Sequence, residues 1–392
     1  MSLACPMPAD SLKPGGIYIH IPFCAARCRY CDFFSTTAFE RADAFVDALL
    51  REMDLLSARV TGAFDTVYIG GGTPSVLSPG RIARIIGAVF ENFRILPGAE
   101  VSVEANPDSA SAAWLESARR AGVTRVSIGV QSFDNRMLAF LGRIHRAKQA
   151  KTAVATARSL EFDSVSLDIM YGMPGQTDDG LCKDLETAIS LLPDHLSCYM
   201  LSYEKGTPLS RALASHEFAP LPDENCRHFF EKVSRFLVDN GFYHYEISNF
   251  AKGRGHVCRH NIKYWERAPY AGLGPSAHSY DGKSERRWNF SDLDSYITTV
   301  KEGELPVQSF EKLSVQQRMM EAVYLGFRTS AGVSAESFRS EFGVGFDSLF
   351  LPAIEQCNRD GLLERSDSGY TPTLRGMLFH ETLALRFTAL IP

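Results

Sequence analysis

The first half of the chain repeats one pattern, and that pattern restricts the fold more than anything else in the sequence. Short runs rich in Val, Ile, Tyr and Ser recur at Ile17–Ile21, Thr66–Ile69, Glu100–Glu104, Arg125–Val130, Ser164–Ile169 and His195–Leu201. Between them lie segments with apolar residues at helical spacing. Ala42–Ala58 shows Phe45, Leu49, Met53 and Leu56 on one face, and Arg81–Phe93, Ser111–Ala121, Ala147–Leu160 and Asp178–Leu191 behave alike. Six β-then-α units in series predict an α/β fold with a parallel sheet, open or closing toward a barrel. Such sheets collect their chemistry at the C-terminal ends of the strands. Here those ends carry a cysteine loop, Gly70-Gly71-Gly72-Thr73-Pro74, Glu104-Ala105-Asn106-Pro107, Gly129-Val130-Gln131-Ser132 and Asp168-Ile169-Met170-Tyr171-Gly172-Met173-Pro174.

The remainder divides by character. Residues 1–16 read as an N-terminal leader and 17–240 as the (β/α)6 core, closed by a helix at Pro222–Asn240. Residues 241–305, dense in His, Gly, Tyr and Trp, read as a small mixed extension, and 306–392 as a small, mainly helical C-terminal domain. The chain has 392 residues, ample for a sizeable core, and is 45% hydrophobic and 22% charged, which excludes disorder as its overall description. Its net charge of −5 offers no basic excess, so no nucleic-acid partner is expected. No apolar run approaches the roughly 20 residues of a membrane helix. The first residues hold prolines and no apolar block, so they do not read as a secretory signal. The expected location is the cytoplasm.

Nine cysteines is an odd number, and a disulfide framework does not fit a long chain of this kind. Cys24, Cys28 and Cys31 form C-x3-C-x2-C, while the other six are scattered like small buried hydrophobes. Three thiolates this close can hold three corners of an iron–sulfur cube and leave one iron open to a ligand. A zinc site would need a fourth ligand, for which His20 or His260 are candidates. Dithiol chemistry on Cys28 and Cys31 would leave Cys24 unexplained.

The cysteine spacing resembles that of radical S-adenosylmethionine (SAM) enzymes. Ile17-Tyr-Ile-His-Ile-Pro-Phe-Cys24 and the glycine, Gln131 and Asp168 motifs are similar, in order and spacing, to the oxygen-independent coproporphyrinogen oxidase branch. The likeness runs from about Ile17 to Leu385 and implies a partial (β/α)6 barrel holding a [4Fe–4S] cluster on Cys24, Cys28 and Cys31. It also implies that SAM chelates the fourth iron and is cleaved on reduction to a 5′-deoxyadenosyl radical. The resemblance carries SAM contacts onto particular residues. Gly71 and Gly72 admit the methionine moiety, Glu104 accepts from its ammonium and Arg143 pairs with its carboxylate. Gln131 and Asp168 bond the ribose, Tyr18 sits close by, and Thr73 and Ile169 flank the adenine. Taken singly, the same residues read as turns, helix caps or surface side chains.

Three features favour the heme chaperones of this branch over its oxidase. Phe33 stands where the oxidase has a fourth cysteine, only 23 residues precede Cys24, and Cys258-Arg-His260-Asn261-Ile-Lys-Tyr264-Trp265 carries the chaperones' H-N-x-x-Y-W segment. In an extended segment His256, Cys258 and His260 would share one face, and His and Cys are heme axial ligands. Tyr264 and Trp265 would then edge the porphyrin, Asn261 would lie beside it, and Arg259 or Lys263 would pair with a propionate. Equally, His260 and Asn261 could brace the loop by hydrogen bonds with Trp265 in the core. The implied function is heme binding and delivery to acceptor apoproteins, including membrane respiratory subunits met at the membrane surface, with an electron donor and a second copy of the chain as further partners. Propionate decarboxylation of coproporphyrinogen III, and radical methylation or opening of heme, are the alternatives.

Overall fold

In a computed structural model of the chain, residues 13–392 are described. Most of the expected leader, with Cys5, lies outside the described residues. Six strands follow in order: β1 (Gly15–Ile21), β2 (Phe64–Gly71), β3 (Ile95–Ala105), β4 (Arg125–Gln131), β5 (Ser164–Tyr171) and β6 (His195–Met200). They pair in parallel, each with the next in sequence.

Strict alternation along these strands sorts their side chains onto two faces. Ile17, Ile19, Val67, Ile69, Val101, Val103, Val126, Ile128, Val165 and Leu167 are buried in the main hydrophobic core. There they meet α1 (Ala42–Ser57), α2 (Pro79–Asn92), α3 (Ala112–Arg120), α5 (Ala147–Ser159), α6 (Asp178–Ser190) and α8 (Asp223–Asp239), which follow in turn along the chain. The intervening residues are polar. Tyr68, Ser102, Ser127, Ser166 and Ser197 of five successive strands face a common chamber of about 30 Å³, around which the sheet curves.

Two short helices, α4 (Asn135–Leu141) and α7 (Pro208–Ala214), were not predicted. Seven residues make barely two turns, too few for a periodic signal.

The sheet does not close. After β6 the chain returns as β7 (Tyr243–Glu246) and β8 (Asn249–Ala251), and β8 pairs antiparallel with β6. Next comes α9 (Arg259–Trp265). Then β9 (Tyr270–Leu273) pairs in parallel with β1, and β10 (His278–Tyr280), β11 (Glu285–Asn289) and β12 (Val307–Lys312) extend that edge antiparallel. The result is one open sheet of 12 strands. The helix α10 (Leu293–Lys301) packs on α1.

The C-terminal unit comprises α11 (Val315–Gly326), β13 (Val333–Ser334), α12 (Ala335–Phe342), α13 (Phe346–Arg359), β14 (Leu363–Arg365), β15 (Gly369–Pro372), α14 (Leu374–Leu378) and α15 (His380–Thr388). Its own core includes Phe327, Phe338, Phe346, Phe350 and Phe387. β12, expected within this unit, belongs instead to the large sheet, so the separate core begins later than residue 306. Among the described residues no helix is long and apolar enough to cross a membrane.

Candidate functional site

The cysteine loop leaves the end of β1 and is anchored at several points. Cys24 N donates to Thr36 O at 3.0 Å, Thr36 N to Pro22 O at 2.6 Å and Arg29 N to Leu141 O at 3.0 Å. The end of β2 presses directly on the loop's entry. Gly72 N donates to Ile21 O and Thr73 N to Phe23 O, both at 2.7 Å. A Cβ on Gly72 would lie 2.7 Å from Phe23 O, and Gly71 has φ +103° with a Cβ position 2.5 Å from the His20 ring. Only glycine allows this approach.

The strand ends thereby enclose a pocket of about 420 Å³ that brings together Cys24, Cys28, Cys31, Gly71, Gly72, Thr73, Glu104, Gln131, Arg143 and Asp168. Gln131 enters it from a bulge in β4, with φ +64°. That left-handed conformation is uncommon for a side-chain-bearing residue and concentrates at functional sites. Arg143 reaches across the pocket: its Nη1 lies 3.4 Å from Cys28 Sγ, and its Nη2 donates to Asn106 Oδ1 at 2.6 Å and Gly129 O at 2.8 Å. Asn106 Nδ2 in turn donates to Thr73 Oγ1 at 3.0 Å, and Thr73 Oγ1 lies 3.5 Å from Cys24 Sγ. Asn106, Tyr30 and Tyr199 also line the pocket, though motif reasoning did not single them out. Period-two alternation is the signal that would have found two of them, Asn106 continuing Ser102 and Glu104 of β3, and Tyr199 following Ser197 on β6.

Burial governs the charges here. It pushes Glu104 up to about 7, against donation from Tyr68 and the Gly71 amide. It raises Asp168 too, against the hydroxyls of Ser127 and Ser197. Burial lifts the Cys24 thiol and pushes Cys31 up to about 11. Such thiols keep their protons until a metal cation displaces them. The donor set fits a cluster with an open corner: three thiols line the pocket, and carboxylates, an amide and a guanidinium line the rest of it for a zwitterionic, ribose-bearing ligand. A zinc site is not supported. His20 has its Nε2 within 2.9 Å of Phe34 O and its Nδ1 within 3.1 Å of Tyr18 OH, and His260 is engaged elsewhere.

Two expected SAM residues do not line the pocket. Tyr18 lies deeper, on His20 and stacked against Tyr68. Ile169 follows inward-facing Asp168, so alternation turns its side chain into the helix-side core.

The segment 254–265 is not extended, which corrects the one-face arrangement of His256, Cys258 and His260. A 3-10 turn at Arg254–His256 leads into α9. The Glu100 carboxylate accepts from Arg259 N at 3.2 Å and His260 N at 3.1 Å, and so caps the helix start. His260 is 1% exposed. Its Nδ1 lies 2.9 Å from Thr66 Oγ1 and its Nε2 2.9 Å from Tyr264 OH, so both ring nitrogens are occupied. Cys258 is buried with its Sγ toward Glu100, and Cys258 and Asn261 face the small interior chamber. This is the bracing arrangement. Of the residues expected at heme, Trp265, Arg259 and Lys263 line a second, larger cavity of about 670 Å³ between α9 and the C-terminal unit, whereas Cys258, His260, Asn261 and Tyr264 do not. That cavity lies near the N-terminal ends of β1 and β2, since Lys263 Nζ donates to Pro14 O and Arg259 Nη2 to Asp65 O.

Fold and pocket together are those of the radical SAM class. The family model of the Radical SAM superfamily matches residues 18–188, and that of the HemN C-terminal domain matches 313–379. The chain is 39% identical over 333 residues to the heme chaperone HemW of Mycobacterium tuberculosis, covering 84% of each protein. It is 36% identical over 367 residues to that of Bacillus subtilis, covering 92% of this chain and 96% of the relative. The chain belongs to the HemW family of heme chaperones. The solved structure of coproporphyrinogen III oxidase (HemN) from Escherichia coli superposes with a TM-score of 0.81 over 96% of this chain and 90% of that one, at 22% identity, a likeness of fold.

Proposed function

We propose that this chain holds a [4Fe–4S] cluster on Cys24, Cys28 and Cys31 with SAM beside it, and that it binds heme and passes it to acceptor apoproteins. One observation carries the first part: three thiols share a single pocket with Gly71, Gly72, Glu104, Gln131, Arg143 and Asp168. A cluster held by Cys24, Cys28 and Cys31 would, when reduced, supply one electron for cleavage of the sulfonium. The chain's residues bind and orient. Glu104 accepts from the ammonium, and Arg143 pairs with the carboxylate, leaving Cys28 to do so. Asp168, kept in place by Ser127, takes the ribose hydroxyls with Gln131. Thr73 flanks the adenine.

The cavity of about 670 Å³ supports the heme reading. A porphyrin is a flat apolar disc edged by two carboxylates. Trp265 and Tyr243 offer rings, and the Arg254 guanidinium stands 5.2 Å over the Tyr243 ring. Arg254 suits a propionate better than Arg259 or Lys263, which both pair with Asp65, or Arg267, which pairs with Glu341. The relatives' name as heme chaperones points the same way. The reading includes a cytoplasmic location, acceptors among membrane respiratory subunits met at the membrane surface, an electron donor and self-association.

A heme titration of the anaerobically reconstituted protein tests this. Arg254→Ala and Trp265→Ala should each weaken binding by roughly fivefold or more. Parent affinity in both variants would remove heme from this cavity. The same preparation, given SAM, reductant and coproporphyrinogen III, should yield no protoporphyrinogen. Its formation in step with 5′-deoxyadenosine would make the protein a decarboxylase.

A further inference from the structure

Glu104 is held from behind. Tyr68 OH donates to Glu104 Oε1 at 2.7 Å, and the Gly71 amide donates to Oε2 at 3.2 Å. A hydroxyl donating to a carboxylate at this distance is a charge-assisted hydrogen bond. The Tyr68 ring is itself clamped. It stacks on the His260 imidazole, with centroids 5.2 Å apart and planes 25° apart, and on Tyr18 at 6.3 Å and 24°. His260 cannot turn away, because Thr66 and Tyr264 engage its two nitrogens and Glu100 holds its backbone amide. The hydroxyl of Tyr68 is therefore aimed at one carboxylate oxygen by packing that begins in the H-N-x-x-Y-W segment.

We propose that Tyr68, clamped by His260, is a positioning residue for Glu104, and that this is how the histidine of that segment serves the strand-end site. The proposal rests on the reading of Glu104 as the acceptor for the SAM ammonium. The carboxylate must be ionised and correctly turned to accept. Burial opposes ionisation, and so does the carboxylate of Asp168 of β5, while Tyr18 of β1, Tyr199 of β6 and Tyr264 of α9 face Glu104 as neutral phenols. Tyr68 OH works against them by donating to the charged form. Removing it leaves Glu104 harder to ionise and held from behind by the Gly71 amide alone.

The test is SAM binding by equilibrium dialysis on the cluster-reconstituted full chain, across pH 6–9, for the parent, Tyr68→Phe, Glu104→Gln and the double variant. Tyr68→Phe keeps the stack and deletes only the hydroxyl. It should weaken binding roughly tenfold near neutral pH and move the pH midpoint of binding upward. In the Glu104→Gln background it should add nothing, because both act through one carboxylate. Unchanged affinity and midpoint in Tyr68→Phe, or losses that simply add, would overturn the proposal while the cofactor reading stands. Absence of SAM binding by the parent would overturn both. If Tyr68→Phe does not fold, Thr66→Val loosens the clamp from the far side of His260. A smaller loss that vanishes in the Glu104→Gln background supports the proposal, and parent affinity overturns it.

Discussion

Gly72 shows how much of the site rests on single atoms. Its amide and that of Thr73 tie β2 to the entry of the cysteine loop, and a methyl group there would meet the Phe23 and Ile21 carbonyl oxygens at 2.7 and 2.8 Å. Backbone cannot yield as a flexible side chain can, so the loop itself must move. Gly72→Ala should cost about 1–3 kcal/mol by overpacking and displace Cys24. Iron and sulfide content after reconstitution should fall well below the parent's, and full cluster content would show that the close approach is dispensable. At this scale the cysteines and glycines were legible because their chemistry is local. Tyr68 and Asn106 were not: each matters through a partner brought close only by the fold, Glu104 at 2.7 Å and Arg143 at 2.6 Å.

The long helices of the βα series were predicted within a few residues: α1, expected over Ala42–Ala58, spans Ala42–Ser57. The strands of the extension escaped because most are three to five residues long and alternate with turns. Besides the ladder of β9 on β1, one carboxyl on α1 ties down the β1-side strands. Glu52 accepts from Gly274 N at 2.8 Å, Asn289 Nδ2 at 2.7 Å and Tyr296 OH at 2.6 Å, joining α1 to β11, α10 and the turn after β9. Burial nonetheless pushes Glu52 from 4.5 up to about 7. A carboxyl with a raised folded-state pKa binds protons better when folded. Its stabilisation is complete below about pH 4.5 and is lost as pH rises through about 7. Glu52→Gln has no such ionisation. Its stability relative to the parent should therefore rise between pH 5 and 8, by at most about 3 kcal/mol, as read by denaturant unfolding at each pH. A difference that stays flat across that range would show that Glu52 ionises normally.

Besides Met377 of α14, which packs into the main core, one buried pair joins the two units. Arg328 Nε lies 3.0 Å from Glu246 Oε2, and the Glu246 side chain is fully buried. Around it Ile247 N donates to Arg328 O at 3.2 Å and Ser330 N to Tyr245 O at 3.0 Å. The Arg328 guanidinium also lies 4.4 Å over the Trp265 ring, so one residue holds the C-terminal unit to β7 and shapes the cavity between them. Arg328→Ala leaves Glu246 buried without its cation, which should cost about 3–5 kcal/mol. Thermal unfolding should shift down, and amide exchange should quicken first in α11. A variant with parent stability would show that the pair contributes little to the junction.

The βα series, the cysteine triplet and the strand-end motifs were determined by the sequence alone, because hydrophobic periodicity and ligand spacing are properties of neighbouring residues. Tertiary structure decided the rest. It left the sheet open and extended at both edges, turned the H-N-x-x-Y-W segment into a capped helix, buried His260 behind Tyr68 and gave Trp265 to a cavity between two units. Those outcomes depend on pairings between residues far apart in the chain, such as Glu100 with Arg259 and Thr66 with His260. Whether a histidine braces or binds is set by what folding brings against its two nitrogens.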